Sequence, residues 1–185
     1  MIKKNEIIFQ TKNYDNGKYE GGIKNDKREG KGTFVYNNGE IYDGDWKNDV
    51  RDGKGEYHYK NGDKYEGDWS NDKIEGKGIL TYKDGKKYDG EWKNDRKEGK
   101  GTLDYNNGEK YKGEWKNNAR DGKGEYHYKT GDRYEGDWNN NKMDGKGTFY
   151  YKNGDQEIGE YSNDKKIGKH LYIKADGSEF EIQYG

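Results

Sequence analysis

Three histidines and a recurring set of paired carboxylates are the residues of this chain with the chemistry for catalysis or metal binding. His58 and His127 stand 69 residues apart, in one slot of two identical stretches, Asp52–Lys60 and Asp121–Lys129, and His170 stands alone. A metal needs several ligands converging on one point, and two copies of a single slot do not converge. Carboxylates flank a glycine at Asp43/Asp45, Glu66/Asp68, Asp89/Glu91 and Glu135/Asp137. A row of such acids could attract cations, but acids repeated from copy to copy read as a solvated face opposite lysines. Gly30-Lys31-Gly32-Thr33 has the flavour of a phosphate loop, yet the GxxxxGK[ST] pattern of a Walker loop is absent. There is no cysteine, hence no thiolate chemistry and no disulfide framework. A catalytic constellation sits at a unique place, whereas these residues come in copies. The expectation is a non-enzyme with no cofactor and no metal.

The side chains left with something to offer are aromatic. The chain holds 19 tyrosines and five tryptophans. Trp46, Trp69, Trp92, Trp115 and Trp138 recur every 23 residues, each four residues after Tyr42, Tyr65, Tyr88, Tyr111 and Tyr134. Tyrosine and tryptophan bury an apolar body while a polar tip stays wet, and they dominate interface hot spots. These ten residues are the candidate protein-binding groove.

The elements that must position them follow from one unit, Tyr65 to Lys87. Tyr65, Gly67 and Trp69 alternate with Glu66 and Asp68, giving a strand with an aromatic and an acidic face. Asn71 to Gly76 reads as a polar loop. Gly76, Gly78, Leu80 and Tyr82 then share one face of a second strand, and Lys83-Asp84-Gly85 closes a tight turn. Each unit is thus a β-hairpin, and a fixed period of this size marks a repeat architecture. With 26% hydrophobic and 39% charged residues, 30 glycines and no proline, aliphatic content alone would read as disorder. The regular aromatics supply the missing core. The expected fold is all-β, an elongated single-sheet antiparallel meander, a solenoid of repeated β-hairpins. Seven units at two strands each would extend ~70 Å.

The organisation reads as a capping half-repeat over 1–18, six full repeats over 19–156, and a degenerate seventh repeat with a capping strand over 157–185. The first unit has Ile23 where tryptophan belongs; the seventh has Tyr161 there, and His170 in place of a glycine. End units of solenoids are atypical because one side faces solvent.

Tyr42-Asp43-Gly44-Asp45-Trp46-Lys47-Asn48, followed by Gly53-Lys54-Gly55, Tyr59 and Gly62, resembles the MORN repeat (membrane occupation and recognition nexus). The likeness is clear over 19–156 and weak over 157–184. It departs where the family often has histidine before the glycine: Glu29, Asp52, Glu75, Glu98, Asp121 and Asp144 stand there. The resemblance implies an extended hairpin meander and a scaffold role in cytoskeletal, ciliary or membrane-junction assemblies, or as the regulatory arm of a separately encoded enzyme.

Partner proteins are therefore expected along the aromatic groove, with self-association as a further expectation through the C-terminal strand Phe180, Ile182 and Tyr184. The alternative partner is anionic phospholipid, on a basic stripe of Arg28, Lys31, Lys54, Lys77, Arg96, Lys100, Arg120 and Lys123, although acids in each loop offset it. A net charge of −1 gives no field for nucleic acid. No run reads as a signal peptide or membrane span, so the expected location is cytoplasmic, with cytoskeletal or ciliary association.

Overall fold

The computed structural model describes residues 6–185; the first five residues of the expected 1–18 cap lie outside them. The described residues carry sixteen strands and no helix, and the strands form one open antiparallel sheet in chain order. Two compact units divide the chain, Met1–Asp95 and Arg96–Gly185. The first holds β1 (Ile8–Tyr14), β2 (Gly17–Lys24), β3 (Lys27–Tyr36), β4 (Ile41–Lys47), β5 (Val50–His58), β6 (Lys64–Ser70), β7 (Lys73–Thr81) and β8 (Lys87–Lys93). The second holds β9 (Arg96–Asp104), β10 (Lys110–Lys116), β11 (Ala119–His127), β12 (Arg133–Asn139), β13 (Lys142–Tyr150), β14 (Gln156–Ser162), β15 (Lys165–Ile173) and β16 (Glu179–Tyr184).

One correction concerns the link inside each hairpin. The six-residue loop expected over 71–76 is a two-residue turn, Asn71-Asp72, with φ of 48° and 65°. Positive φ at both residues matches a type I′ turn, whose twist suits the flanking strands. Asparagine and aspartate tolerate this left-handed backbone better than other residues with a Cβ. The chain then extends at once into β7. Gly67 pairs with Gly78 and Trp69 with Ile74, so Asp68 alone faces Glu75, Gly76 and Lys77 in a bulge. Gly76 supplies its positive φ of 68°. Asp68 Oδ2 accepts the Lys77 backbone N–H at 2.9 Å, satisfying a donor that the bulge takes out of the ladder.

The turns are also stitched to the hairpin before them. Arg51 N–H donates to Asp72 Oδ1 at 3.0 Å, and Asp72 N–H donates to the Arg51 carbonyl at 3.0 Å. Asp52 accepts from Asn71 N–H at 3.3 Å, and Glu29 and Glu75 accept from Asn48 and Asn94 at 2.9 Å each. The acid in the slot before the bulge glycine thus caps the next turn. We expect Asn71→Ala to cost about 1–2 kcal/mol, the penalty of forcing alanine into a left-handed conformation. Asn71→Gly should cost less, and urea unfolding of the two variants checks the order.

Candidate partner-binding face

Strand alternation places five side-chain columns on one face of the sheet. Tyr19, Tyr42, Tyr65, Tyr88, Tyr111 and Tyr134 form the first, and each is 0% exposed. Each hydroxyl donates to the carbonyl three residues on, as Tyr42 does to Asp45 O at 2.9 Å. The ring lies across two cross-strand glycines: a Cβ added at Gly55 would stand 2.4 Å from the Tyr42 hydroxyl oxygen. Tryptophan forms the second column. Trp46 Nε1–H donates to Gly32 O at 2.8 Å and Trp69 Nε1–H to Gly55 O at 3.2 Å. Tyr42 meets Trp46 edge-on at 5.1 Å and also Trp69 of the next repeat at 5.3 Å. Edge-to-face pairs of this kind contribute about 0.5–1.5 kcal/mol each beyond area burial. The core therefore couples neighbouring repeats as well as filling each one.

A third column covers the tryptophans. The guanidiniums of Arg28, Arg51 and Arg120 lie 4.1, 4.3 and 4.3 Å from the ring centroids of Trp46, Trp69 and Trp138. Each is also fixed by Nη2–H donation to a turn carbonyl, Asp49 at 2.6 Å, Asp72 at 2.7 Å and Asn141 at 2.6 Å. Desolvated cation–π contacts are worth ~2 kcal/mol, and the arginines seal the rings from solvent.

Beside the core runs a second aromatic ladder. Phe34, Tyr57, Tyr126, Phe149 and Tyr172 occupy one column; Tyr36, Tyr59, Tyr82, Tyr105, Tyr128 and Tyr151 occupy the next and are half-buried. Rings touch in sequence, Phe34–Tyr36 at 4.5 Å, Tyr36–Tyr57 at 6.0 Å and Tyr57–Tyr59 at 4.6 Å in the first unit. Tyr105–Tyr126 at 5.8 Å, Tyr126–Tyr128 at 4.7 Å and Tyr128–Phe149 at 5.6 Å repeat this in the second. Burial pushes these phenols up, Tyr59 to about 12, so they stay protonated donors at neutral pH. Carboxylates border the ladder and take hydroxyls from it: Tyr57 donates to Glu40 at 2.7 Å and Tyr172 to Asp155 at 2.7 Å.

The family model for the MORN repeat matches six consecutive stretches, residues 19–41, 42–64, 65–87, 88–110, 111–133 and 134–156. The chain belongs to the MORN repeat family. Among solved structures, this MORN chain is similar to the TCP domain of SAS-4 (dCPAP) of Drosophila melanogaster, solved in complex with a proline-rich motif of Ana2 (dSTIL). The identity is 15% and the TM-score 0.56, with 84% of this chain and 84% of that chain covered. It is also similar to the TCP10 domain of Danio rerio CPAP in complex with a peptide of Danio rerio STIL, at 14% identity and TM-score 0.37, covering 84% and 80%. The likeness to the first is one of fold. No curated protein sequence matches the chain.

The MORN consensus aromatics are not a groove. Tyr42, Tyr65, Tyr88, Tyr111 and Tyr134 are wholly buried, and Trp46, Trp69, Trp92, Trp115 and Trp138 are 3–6% exposed. The physical reason is that one sheet can seal its own face when each ring is packed between neighbours and roofed by a long side chain. The open aromatic surface is the second ladder. Its signal was present in the sequence, since Tyr36, Tyr59, Tyr82, Tyr105, Tyr128 and Tyr151 keep the 23-residue period without a break.

The basic stripe does not form on one surface. Arg28 and Arg120 point over tryptophans on the aromatic face. Lys31, Lys54 and Lys123 project from the opposite face, where they pair with Asp45 at 2.8 Å, Asp68 at 2.5 Å and Asp137 at 2.5 Å. Lys77 pairs in register with Glu91, Lys100 with Glu114, and Arg96 donates to Asn117 at 2.9 Å. Strand alternation splits the stripe, and cross-strand acids neutralise its larger half. His58 and His127 stand on that same polar face beside Glu56 and Glu125. Among the described residues no group of three or more His, Cys, Asp or Glu could hold a metal ion, and no helix is long and apolar enough to cross a membrane.

The seventh repeat rebuilds the core with charge. Glu157 takes the tyrosine slot at 1% exposure, and His170 takes a glycine slot at 0%. The imidazole lies over Gly159, where a Cβ would meet its ring at 2.2 Å. Nε2–H donates to Glu160 O at 2.8 Å, the carbonyl that a tyrosine hydroxyl takes in every full repeat. The ring has moved from one strand to the other. Glu157 then accepts from Tyr151 at 2.6 Å, from Tyr184 at 2.8 Å and from Lys166, with His170 Nδ1 3.0 Å away. The expected assembly strand is engaged here: Tyr184 binds Glu157, Ile182 pairs with His170, and Phe180 stacks on Tyr172 at 5.0 Å while 44% exposed. Tyr161 fills a tryptophan slot, and its buried hydroxyl has no partner among the described residues. We expect Tyr161→Phe to stabilise by about 1 kcal/mol, because an unsatisfied buried hydroxyl costs about 1–3 kcal/mol. Thermal denaturation of the variant checks it.

Proposed function

We propose that this chain is a non-catalytic MORN scaffold that binds partner proteins, holding a partner segment against the half-buried tyrosine ladder. The observation that carries this reading is the contrast between two aromatic columns. The Tyr–Trp core is closed to contact, while the ladder beside it presents a phenol ring at one position in each of the six full repeats. Residues of this type, partly exposed on a rigid support, are the ones that anchor interfaces. The fold likeness to a TCP domain in complex with a proline-rich motif of Ana2 supports a partner segment as the bound object. The cytoskeletal, ciliary or junctional setting implied by the repeat family is the finer part of this proposal.

A photo-crosslinker at Tyr59 and another at Glu66, on opposite faces of the first unit, test it in extract of the cells that make the protein. A partner adduct is expected from position 59 alone, and Tyr128→Lys combined with Tyr59→Lys should abolish co-purification of that partner. Equal adducts from both faces, or co-purification untouched by the pair of substitutions, would overturn the reading.

A further inference from the structure

The backbone of the face decides what kind of segment fits. In β2 to β7 every strand is paired on both sides, so the face has no ladder of free N–H and C=O groups to offer. A partner strand laid on it would leave its own backbone unpaired against aromatic rings, at a cost of about 1–3 kcal/mol per buried group. An occupant must therefore bring a backbone that needs no pairing: a helix, or a polyproline II segment, which has no internal hydrogen bonds and presents carbonyl acceptors.

Spacing separates these two. Each repeat contributes two strands, so successive tyrosines of the ladder recur at about 9.6 Å. Three residues of polyproline II advance about 9.3 Å, and two turns of α-helix advance about 10.8 Å. Across Tyr36, Tyr59 and Tyr82, a polyproline II chain slips by about 0.6 Å and a helix by about 2.4 Å. A segment with one side chain in three facing the sheet keeps its register on the ladder.

The charge of the face selects further. The cations over the tryptophans are engaged on one edge, Arg28 and Arg51 donating Nε–H to the Asp49 and Asp72 carboxylates at 3.3 and 3.0 Å, while among the described residues Nη1 of Arg28, Arg51 and Arg120 has no hydrogen-bond partner. The acids at the opposite margin are taken up, Glu40 by Tyr57 and Asn38, and Asp155 by Tyr172, Asn153 and the Ala175 N–H. Tyr128 donates to Met143 Sδ at 4.0 Å and Tyr151 to Glu157 at 2.6 Å, while among the described residues the donors left over on this face are the Nη1–H groups of these arginines and the hydroxyls of Tyr36 and Tyr59. Their complement is a chain rich in acceptors and poor in donors: proline carbonyls with carboxylates alongside.

We propose that the tyrosine ladder of each unit takes a proline-rich, acid-bearing segment of a partner protein in the polyproline II conformation, laid across the strands with every third residue between successive tyrosines. This rests on the ladder being the partner site. It specifies about nine residues per three-tyrosine ladder.

NMR titration of the full chain with three synthetic twelve-residue peptides tests it. One has four Pro-Pro-Glu triplets, one has four Pro-Pro-Lys triplets, and one is an alanine-rich helical peptide of the same negative charge. The Pro-Pro-Glu peptide should bind at least tenfold tighter than the other two and shift the signals of Tyr36, Tyr59 and Tyr82. Tyr59→Lys should weaken it at least tenfold with the fold intact, because Lys174 already occupies this slot in the seventh repeat. Stronger binding of the helical peptide, or equal binding of the lysine peptide, would sink the polyproline inference. If the crosslinked partner maps to Tyr59 while no proline peptide shifts the ladder, the scaffold reading stands and this one falls. If neither occurs, both fall.

Discussion

Glu157→Tyr and His170→Gly should each unfold the seventh repeat when made alone, and restore it when made together. Alone, Glu157→Tyr puts a second ring into the space above Gly159 that His170 already fills. It also strips the acceptor from the Tyr151 and Tyr184 hydroxyls and from Lys166. Overpacking alone costs about 1–3 kcal/mol. His170→Gly empties that space and takes the donor from Glu160 O; deleting a fully buried ring costs about 3–5 kcal/mol. Both together recreate the tyrosine-over-glycine arrangement of the six full repeats. The double variant should be more stable than either single one, with a coupling of about 2–3 kcal/mol, read by hydrogen exchange in β15 and β16. Additive losses would mean that the cluster is not an exchanged form of the consensus core. The cluster also sets a pH dependence. Burial pushes the Glu157 carboxyl up, but the donors Lys166, Tyr151 and Tyr184 outweigh it, and the net position is below the ordinary value of 4.5. A depressed carboxyl contributes stability that is complete above its unfolded pKa and is lost as pH falls through its folded one. Exchange in β16 should therefore accelerate selectively in acid below pH 4.5, and in the double variant this acid step should vanish.

That pair also marks the limit of what the sequence made legible. The hairpins, their order and the glycine turns between them could be read because alternation along Tyr65 to Trp69 and the glycine at Gly85 are local signals. Glu157 and His170 were each visible as departures, but their reciprocity depends on cross-strand register, which a single unit does not reveal. The tight Asn71-Asp72 turn was misread as part of a six-residue loop because the polar run continues to Gly76. The bulge at Asp68 absorbs the extra residues, and bulges leave no mark in hydropathy. The ten consensus aromatics looked like a binding surface because an isolated sheet face cannot hide them. What hides them is long range: Trp69 against Tyr42 of the previous repeat, with Arg51 laid over it. The polar face was easier, since Lys54 opposite Asp68 follows from cross-strand pairing of opposite charges.

Gly78→Ala should unfold its repeat, while Gly39→Ala should cost about 1 kcal/mol, and the contrast separates two uses of glycine. Gly39 sits in the turn between β3 and β4 at a φ of 89°, and a Cβ there meets nothing within 4 Å. Its substitution adds backbone strain and no collision. Gly78 does not have positive φ, but a Cβ on it would stand 2.2 Å from the Tyr65 hydroxyl oxygen and 2.5 Å from its Cζ. The ring cannot retreat. Its hydroxyl is tied to Asp68 O at 3.1 Å, and its faces meet Trp69 at 5.4 Å and Trp92 at 5.5 Å. Expelling it forfeits a large buried ring, worth about 3–5 kcal/mol by the cost of deleting a buried aromatic. Because Tyr65 bridges two repeats, the damage should spread to β8, where Trp92 loses its packing. Urea unfolding should show a loss at least threefold larger for Gly78→Ala than for Gly39→Ala, with tryptophan fluorescence shifted red only in the former. Adding Tyr65→Ala to Gly78→Ala removes the collision and should leave the double variant no less stable than Tyr65→Ala alone. If Gly78→Ala were as mild as Gly39→Ala, the tyrosines would not be locked across the glycines. The Tyr–Trp column would then be mobile enough to serve as a surface.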